Sequence, residues 1–168
     1  EANNIVDFQM CQAGAKTITV SFTVLTTVAG SYAFRLYNPQ GNQSYVKVYS
    51  IPSPNVYTRI SATIPLPTSG TWTASSGAGL QLWFDLGSGS NFVAPSTDTW
   101  LSGNYTTAST VTSFISGSNG TTFSITGVQL ELGTLATPFE FLPVETELAL
   151  VQRYYTVFTN PANNDVAV

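Results

Sequence analysis

From Lys16 to Val28 the side chains alternate in character, with Ile18, Val20, Phe22 and Val24 on one parity and Thr17, Thr19, Ser21 and Thr23 on the other. Successive side chains of an extended chain point to opposite faces, so this pattern demands a strand with one buried and one polar face. The alternation returns in Ser31–Asn38, where Tyr32, Phe34 and Leu36 oppose Ala33, Arg35 and Tyr37. In Val56–Leu66, Val56, Ile60, Ala62 and Ile64 read inward and Tyr57, Arg59, Ser61 and Thr63 outward. In Leu80–Leu86, Leu80, Leu82, Phe84 and Leu86 oppose Gln81, Trp83 and Asp85. Ser44–Ile51 is a further strand with less distinct faces, and Thr110–Ile115 a short possible one. Between these runs lie Ala29-Gly30, Asn38-Pro-Gln-Gly-Asn42 and Pro52-Ser-Pro54, which are turn signals, and Pro65 and Pro67, which cannot donate to a ladder. About eight short strands at regular spacing predict an all-β fold, an antiparallel jelly-roll β-sandwich.

Thr121–Leu132 carries a different signal. Phe123 and Ile125 share one parity, but beyond Thr126-Gly127 the apolar parity becomes Val128, Leu130 and Leu132. One extra residue shifts the phase, and Gly127 is the natural place for such a bulge. A strand of this kind is expected to lie deep in the sandwich and touch both sheets. Further on, Val144, Leu148, Val151 and Tyr155 form one apolar stripe at helical spacing. Glu145 and Glu147 fall in its first turn and Arg153 in its last, as the helix dipole prefers. This is the one short C-terminal helix the sequence predicts. The expected organisation is residues 1–15 as a wrapping segment anchored by Ile5, Phe8 and Met10, residues 16–143 as the sandwich, and residues 144–168 as helix and tail. The tail reads as a final strand or a frayed end, with a turn at Asn160-Pro-Ala-Asn-Asn-Asp165.

Composition closes several routes. The chain has no histidine and one cysteine among 168 residues, which removes Ser-His-Asp and Cys-His catalysis, His-containing or thiolate zinc sites, and any internal disulfide. Only 8% of residues are charged while 12% are aromatic, a balance that suits a packed β domain with a neutral polar surface. With a net charge of −4 and basic residues only at Lys16, Arg35, Lys47, Arg59 and Arg153, there is no clustered positive patch for nucleic acid. No apolar run is long enough for membrane insertion as a helix. The chain opens at Glu1, as expected of a trimmed mature protein or of part of a longer one. Asp85, Asp98, Glu131 and Glu140 are the carboxylates that could flank a glycosidic bond, but ordinary solvated acids explain each of them. No cofactor is implied. Oxygen-rich loops would permit a structural calcium ion, although no D-x-D-x-D loop names its ligands.

What stands out is aromatic residues at positions the alternation marks as polar. Tyr37, Tyr57 and Trp83 point opposite to their strands' core residues, and Tyr45 and Tyr49 are candidates to join them. With Arg35, Arg59, Asp85 and Gln81 they would make an aromatic-polar surface able to stack on sugar rings and hydrogen-bond hydroxyls. Large, stiff amphipathic rings equally suit protein contacts. They also suit packing beneath loops, so three readings stay open: glycan, subunit contact and covered core. Trp72 and Trp100, in loops, read as plugs at the ends of the sandwich.

The run ITGVQLELGTLATPFEF followed by ELALVQRYY resembles the C-terminal signature of a family of tailed-phage virion proteins described as tail-fibre, head-fibre or minor structural proteins. TITVSFTV, GSYAFRLYN, SYVKVYSI and TSGTW are similar to that family too, so the resemblance spans roughly Lys16–Tyr155. Where the family commonly has cysteine this chain has Val151, which marks that position as core. The resemblance implies a non-enzymatic protein on the virion surface, resembling carbohydrate-binding modules, that attaches to host-surface glycan and assembles as a homotrimer. Val144, Leu148, Val151 and Tyr155 are the candidate subunit contacts. The alternative is a purely structural capsid-cement or fibre module that binds other virion subunits and no sugar.

Overall fold

In a computed structural model, the chain is described at all residues except 116, 118, 153, 154, 156, 157, 160–165 and 168. Its longest alternating run becomes β1 (Thr17–Thr26), the central strand of a three-stranded sheet, with β4 (Thr58–Pro65) and β7 (Phe123–Leu132) as antiparallel neighbours. A second antiparallel sheet has the order β5-β2-β3-β6, from β2 (Gly30–Asn38), β3 (Gln43–Ile51), β5 (Gln81–Asp85) and β6 (Trp100–Ser102). The chain passes from one sheet to the other after β1, β3, β4 and β6. The predicted all-β jelly-roll sandwich is the fold that forms.

The core lies where the inward parities of the two sheets meet. Ile18, Val20, Phe22 and Val24 of β1 pack with Tyr32, Phe34 and Leu36 of β2. Phe22 sits at the centre, its ring edge-on to Phe34, Tyr49 and Phe84 at centroid distances of 5.6, 5.3 and 4.9 Å. Edge-to-face contacts at this range add to the burial itself, and truncating such a ring costs about 3–5 kcal/mol. Trp72 and Trp100 pack against this core, their indole N–H groups donating to the carbonyls of Gly79 and Pro65, so both act as the expected plugs. Trp100 does so from a strand rather than a loop. Before β1, a 3₁₀ segment at Ala2–Phe8 wraps the domain: Phe8 and Met10 are buried, Ile5 packs against the core, and Ala2 N–H and Asn3 N–H donate to the carbonyls of Gly77 and Ser75.

Several expectations change. Val56 is exposed and lies outside β4, which begins at Thr58. Residues 110–115 form no strand; Thr112 instead clips to Ser31 by a backbone and a side-chain hydrogen bond. Tyr45 and Tyr49 face inward and are buried in the core, so neither joins an outer aromatic surface. In β7 the bulge is where the sequence put it, but it acts in the opposite sense. Ser21 pairs with Gln129 and Thr23 with Thr126, leaving Gly127 (φ 58°) and Val128 together opposite Phe22. Ile125 then pairs with Val24, and Leu130 with Val20, both on the core side. The extra residue keeps one face inward across a break in the sequence phase. β7 is accordingly an edge strand, and the deep strand is β1.

The chain divides into two compact units, Glu1–Ala136 and Thr137–Val168. The second contains α1 (Val144–Val151) and a short antiparallel pair, β8 (Phe158–Thr159) and β9 (Val166–Ala167). Pro143 caps the helix start with its carbonyl, which accepts from Thr146 and Glu147. Helical hydrogen bonding continues past the strict helix, Gln152 N–H to Leu148 and Tyr155 N–H to Val151. Val144, Leu148, Val151 and Tyr155 are all exposed. Arg153 lies outside the described residues, as does the 160–165 turn. No helix among the described residues is long and apolar enough to cross a membrane.

Candidate binding cleft

Register brings the predicted surface residues of β2 and β5 together. Arg35 stands directly opposite Trp83, Tyr37 opposite Gln81 and Ala33 opposite Asp85, all on the outer face of the four-stranded sheet. Directly paired residues on one face have side chains in contact range, so these strands hold the group without help from loops. Tyr57 and Arg59 do not belong to it. Arg59 pairs with Thr23 and donates to Ser21 on the outer face of the other sheet, and Tyr57, 70% exposed, immediately precedes the same strand. The expected surface is therefore split between opposite sides of the sandwich, because outward parity says nothing about which sheet a strand joins.

Loops then build walls over the outer face. Ala94 N–H donates to Thr107 O at 2.8 Å, and the N–H groups of Thr106 and Thr107 both donate to Phe92 O at 2.9 and 3.1 Å. Ser44 Oγ donates to Gly103 O and accepts from Tyr105 N–H, tying the second loop to β3. Beneath this lid Ala33, Val46 and Ala94 form a small second core, with Val48, Leu101, Tyr105 and Val111 packed around it. Ala33 and Val46 are buried beneath these loops, and so are Asp85 and Arg35, which are 1% and 3% exposed.

Asp85 is a structural carboxylate. Its Oδ1 accepts from Gly87 N–H, Ser88 N–H and the Ser88 hydroxyl at 3.1, 2.8 and 2.5 Å, closing the turn after β5. Burial pushes its pKa up, but the donors of Ser88, Thr107 and Gly87 outweigh burial and hold it below the ordinary value. Oδ2 is buried with no hydrogen-bond partner; the Thr107 hydroxyl favours the charge from outside good hydrogen-bond geometry.

Two aromatic rings hold the Arg35 guanidinium. Its Cζ lies 4.6 Å from the Tyr37 ring centre and 4.4 Å from that of Trp83, a double cation–π contact. Nη1 donates to Asn104 Oδ1 and to Tyr105 O. Burial lowers its pKa and Tyr37 raises it, and a guanidinium stays charged at neutral pH regardless. Trp83 is further held by Nε1–H donating to Gln81 Oε1 at 3.2 Å, and Tyr37 by its hydroxyl donating to Asn42 Oδ1.

Between the strands and the loops opens a cleft of about 360 Å³, lined by Arg35, Trp83, Ser88, Phe92, Asn104 and Thr106. Trp83 and Phe92 stay 48% and 38% exposed at it. No family model, curated protein or solved structure matches the chain. What the cleft can do therefore follows from its own groups: two part-exposed aromatic rings, an amide, two hydroxyls and one buried cation.

Sequence reasoning found Arg35 and Trp83 and missed Ser88, Phe92, Asn104 and Thr106. Nothing local to Phe92 shows that its carbonyl accepts from the amides of Thr106 and Thr107, 14 and 15 residues downstream. The candidate carboxylates do not converge. Asp85 ends β5, Asp98 pairs with Lys47 beyond β3 at the far side of the same sheet, and Glu131 lies on β7 of the other sheet. Glu140 belongs to the second unit. No group of three or more His, Cys, Asp or Glu suited to a metal ion occurs among the described residues.

Proposed function

We propose that this chain is a non-enzymatic virion protein of a tailed phage, displayed as a fibre or decoration, that adheres to host-surface glycan through the Trp83–Phe92 cleft. The virion setting comes from the resemblance carried by the C-terminal run and the upstream strand phrases. The glycan reading rests on one observation: Trp83 and Phe92 stay partly exposed at a cleft also lined by Ser88, Asn104 and Thr106. Such rings stack on the C–H faces of a pyranose while amide and hydroxyl groups bind its hydroxyls. Arg35 supports this by bracing Trp83 rather than by offering an open charged surface. A glycan array probed with the wild-type protein and with Trp83→Ala tests it: binding that disappears in the variant supports the reading, and binding that survives refutes it.

A second reading, assembly with other virion subunits, has its own support in the second unit. Val144, Leu148 and Val151 line one shallow groove with Glu147, and all three apolar side chains are exposed. Exposed apolar stripes on a helix are buried by association. A homotrimer joined through α1 and Tyr155 is compatible with a glycan cleft on the sandwich. If the protein binds intact particles and no glycan on the array, the purely structural module is the correct reading.

A further inference from the structure

A second cleft, of about 300 Å³, opens at the end of the sandwich where β6 meets the chain leaving β4. Tyr45 and Trp100 are direct cross-strand partners on the inner face of the four-stranded sheet, with ring centres 5.7 Å apart. Trp100 is fixed by its indole N–H, which donates to Pro65 O at 2.8 Å, and the half-buried side chain lines the cleft. Thr68, Ser69, Asp98 and Thr99, all exposed, carry the polar side of the lining. The volume lies at the lower end of the range for small-molecule sites.

Two groups at this cleft have unused hydrogen-bonding capacity. Tyr45 is 3% exposed, and its hydroxyl makes no hydrogen bond among the described residues. Unlike the Tyr49 hydroxyl it is not sealed from solvent, so the small accessible part of Tyr45, which lines the cleft, includes the hydroxyl. Burial raises its pKa and the Asp98 charge raises it further, so it keeps its proton and can donate. Asp98 Oδ1 accepts from Lys47 Nζ, while Oδ2 has no partner among the described residues and the side chain is 48% exposed. Asp98 is held at φ 60° with its N–H donating to Val46 O at 3.0 Å, which pins it beside β3.

We infer that this cleft is a second saccharide site, for a neutral sugar, with Asp98 and Tyr45 as its hydrogen-bonding pair. This rests on the reading of the chain as a glycan binder, not on the Trp83–Phe92 cleft itself. A carboxylate accepts O–H groups in short charge-assisted bonds, and the Tyr45 O–H can donate to a sugar oxygen. The Trp100 indole offers apolar surface to C–H groups. The Asp98 charge disfavours an acidic sugar, and Lys47 already compensates it, which leaves an amine little to gain.

β5 and β6 are opposite edges of the four-stranded sheet, three strand spacings or about 14 Å apart. Trp83 lies on its outer face and Trp100 on its inner face, so one sugar ring cannot fill both clefts. On a surface bearing many glycans the two sites act together, and avidity makes retention depend on both. Loss of Trp83 therefore empties an array even though the Trp100 cleft is intact.

The indole N–H resonances of Trp72, Trp83 and Trp100 distinguish the two sites by nuclear magnetic resonance of the full chain. The probes are lactose, maltose, cellobiose and N-acetyllactosamine. At least one of them should shift the Trp100 signal saturably, with Trp72 unmoved, and that titration should persist in Trp83→Ala. Asp98→Asn keeps a residue that tolerates the left-handed backbone, and Tyr45→Phe keeps the ring. Each should weaken the Trp100 titration at least ten-fold and leave the Trp83 titration unchanged. Asp98 is exposed, so its variant keeps the test open if Tyr45→Phe does not fold. Shifts confined to Trp83 overturn the second site and leave the glycan reading standing. Shifts confined to Trp100 support the second site and overturn the Trp83–Phe92 cleft. A Trp100 titration indifferent to both substitutions overturns the assignment to Asp98 and Tyr45. Glucosamine binding there ten-fold tighter than glucose overturns the neutral class. No shift of either signal with any probe overturns both sites.

Discussion

Arg35 and Trp83 are direct cross-strand partners, and the Arg35 guanidinium carbon lies 4.4 Å from the Trp83 ring centre. The Tyr37 ring packs on the same cation, its centre 4.6 Å from the guanidinium carbon, and Arg35 is 3% exposed. A buried arginine thus serves as the rigid backing of a half-exposed tryptophan, and the tryptophan is the one part of this stack that a ligand can reach broadly.

Trp83→Ala should therefore do two things at once. Glycan binding should fall at least ten-fold, and the loss of one cation–π partner should lower stability by about 1 kcal/mol. Trp83→Phe keeps a ring and should restore most of the stability. Denaturant unfolding of the three proteins checks this, and equal stability of the Ala and Phe variants would contradict the cation–π contact.

Asp85 should make the fold acid-sensitive. Its folded-state pKa lies below the ordinary carboxylate value, so its stabilisation is complete above about pH 4 and is lost as pH falls through the lowered value. Asp85→Asn keeps an oxygen for the three donors to Oδ1 but removes the charge they favour and leaves an NH2 at the buried Oδ2 position, and should cost about 1–3 kcal/mol at pH 7. The gap between wild type and variant should narrow as pH falls below about 4. Thermal melts across pH 7 to 2 measure it; a constant gap would show that ionisation of Asp85 contributes nothing.

The hydroxyl of Tyr49 is buried in the core with no hydrogen-bond partner, and burial raises its pKa. Tyr49→Phe removes an unsatisfied polar atom and keeps the ring contacts with Phe22, Phe34 and Tyr32. The variant should be as stable as wild type or more stable by about 1 kcal/mol. A loss of 2 kcal/mol or more would mean the hydroxyl has a partner, such as bound water.

Gly127 has φ 58° at the bulge of β7. Gly127→Ala should cost about 1–2 kcal/mol, and Gly127→Asn less, because asparagine tolerates the left-handed region. Chemical denaturation ranks the three, and an alanine variant as stable as wild type would place the strain elsewhere.

The exposed stripe of α1 gives the trimer test. Sedimentation velocity of the wild-type chain at micromolar concentration should show a trimer, and Leu148→Asp with Val151→Asp should show monomer. A wild-type monomer would remove the subunit-contact role of Val144, Leu148, Val151 and Tyr155.

Much of the sandwich was legible because a strand announces its buried face by period two. Ile18, Val20, Phe22 and Val24 are inward as their parity demands, and so are Tyr32, Phe34 and Leu36. The position of the bulge was legible as well, since Gly127 is where the phase slips. Its consequence was not, because whether a slip turns a strand over or keeps one face inward depends on the partner strand, here the Ser21–Thr23 segment of β1. The site was half legible for a related reason. Arg35, Tyr37, Gln81 and Trp83 could be named from parity alone, since each stands opposite a core residue in its own strand. Sequence could not show that β2 pairs with β5 while β4 pairs with β1, and that choice separates Tyr57 and Arg59 from the rest.

By itself, the sequence determined the class of fold, the inward residues of its strands, the C-terminal helix stripe and the absence of histidine chemistry. Those are local properties, set by which side chains tolerate water at a fixed spacing. Tertiary structure alone decided that Arg35 is buried, that Phe92 and Thr106 meet across a loop, and that Trp83 remains open beside them. Those depend on contacts between residues far apart in the chain, where packing and hydrogen-bond satisfaction, not spacing, select the neighbours.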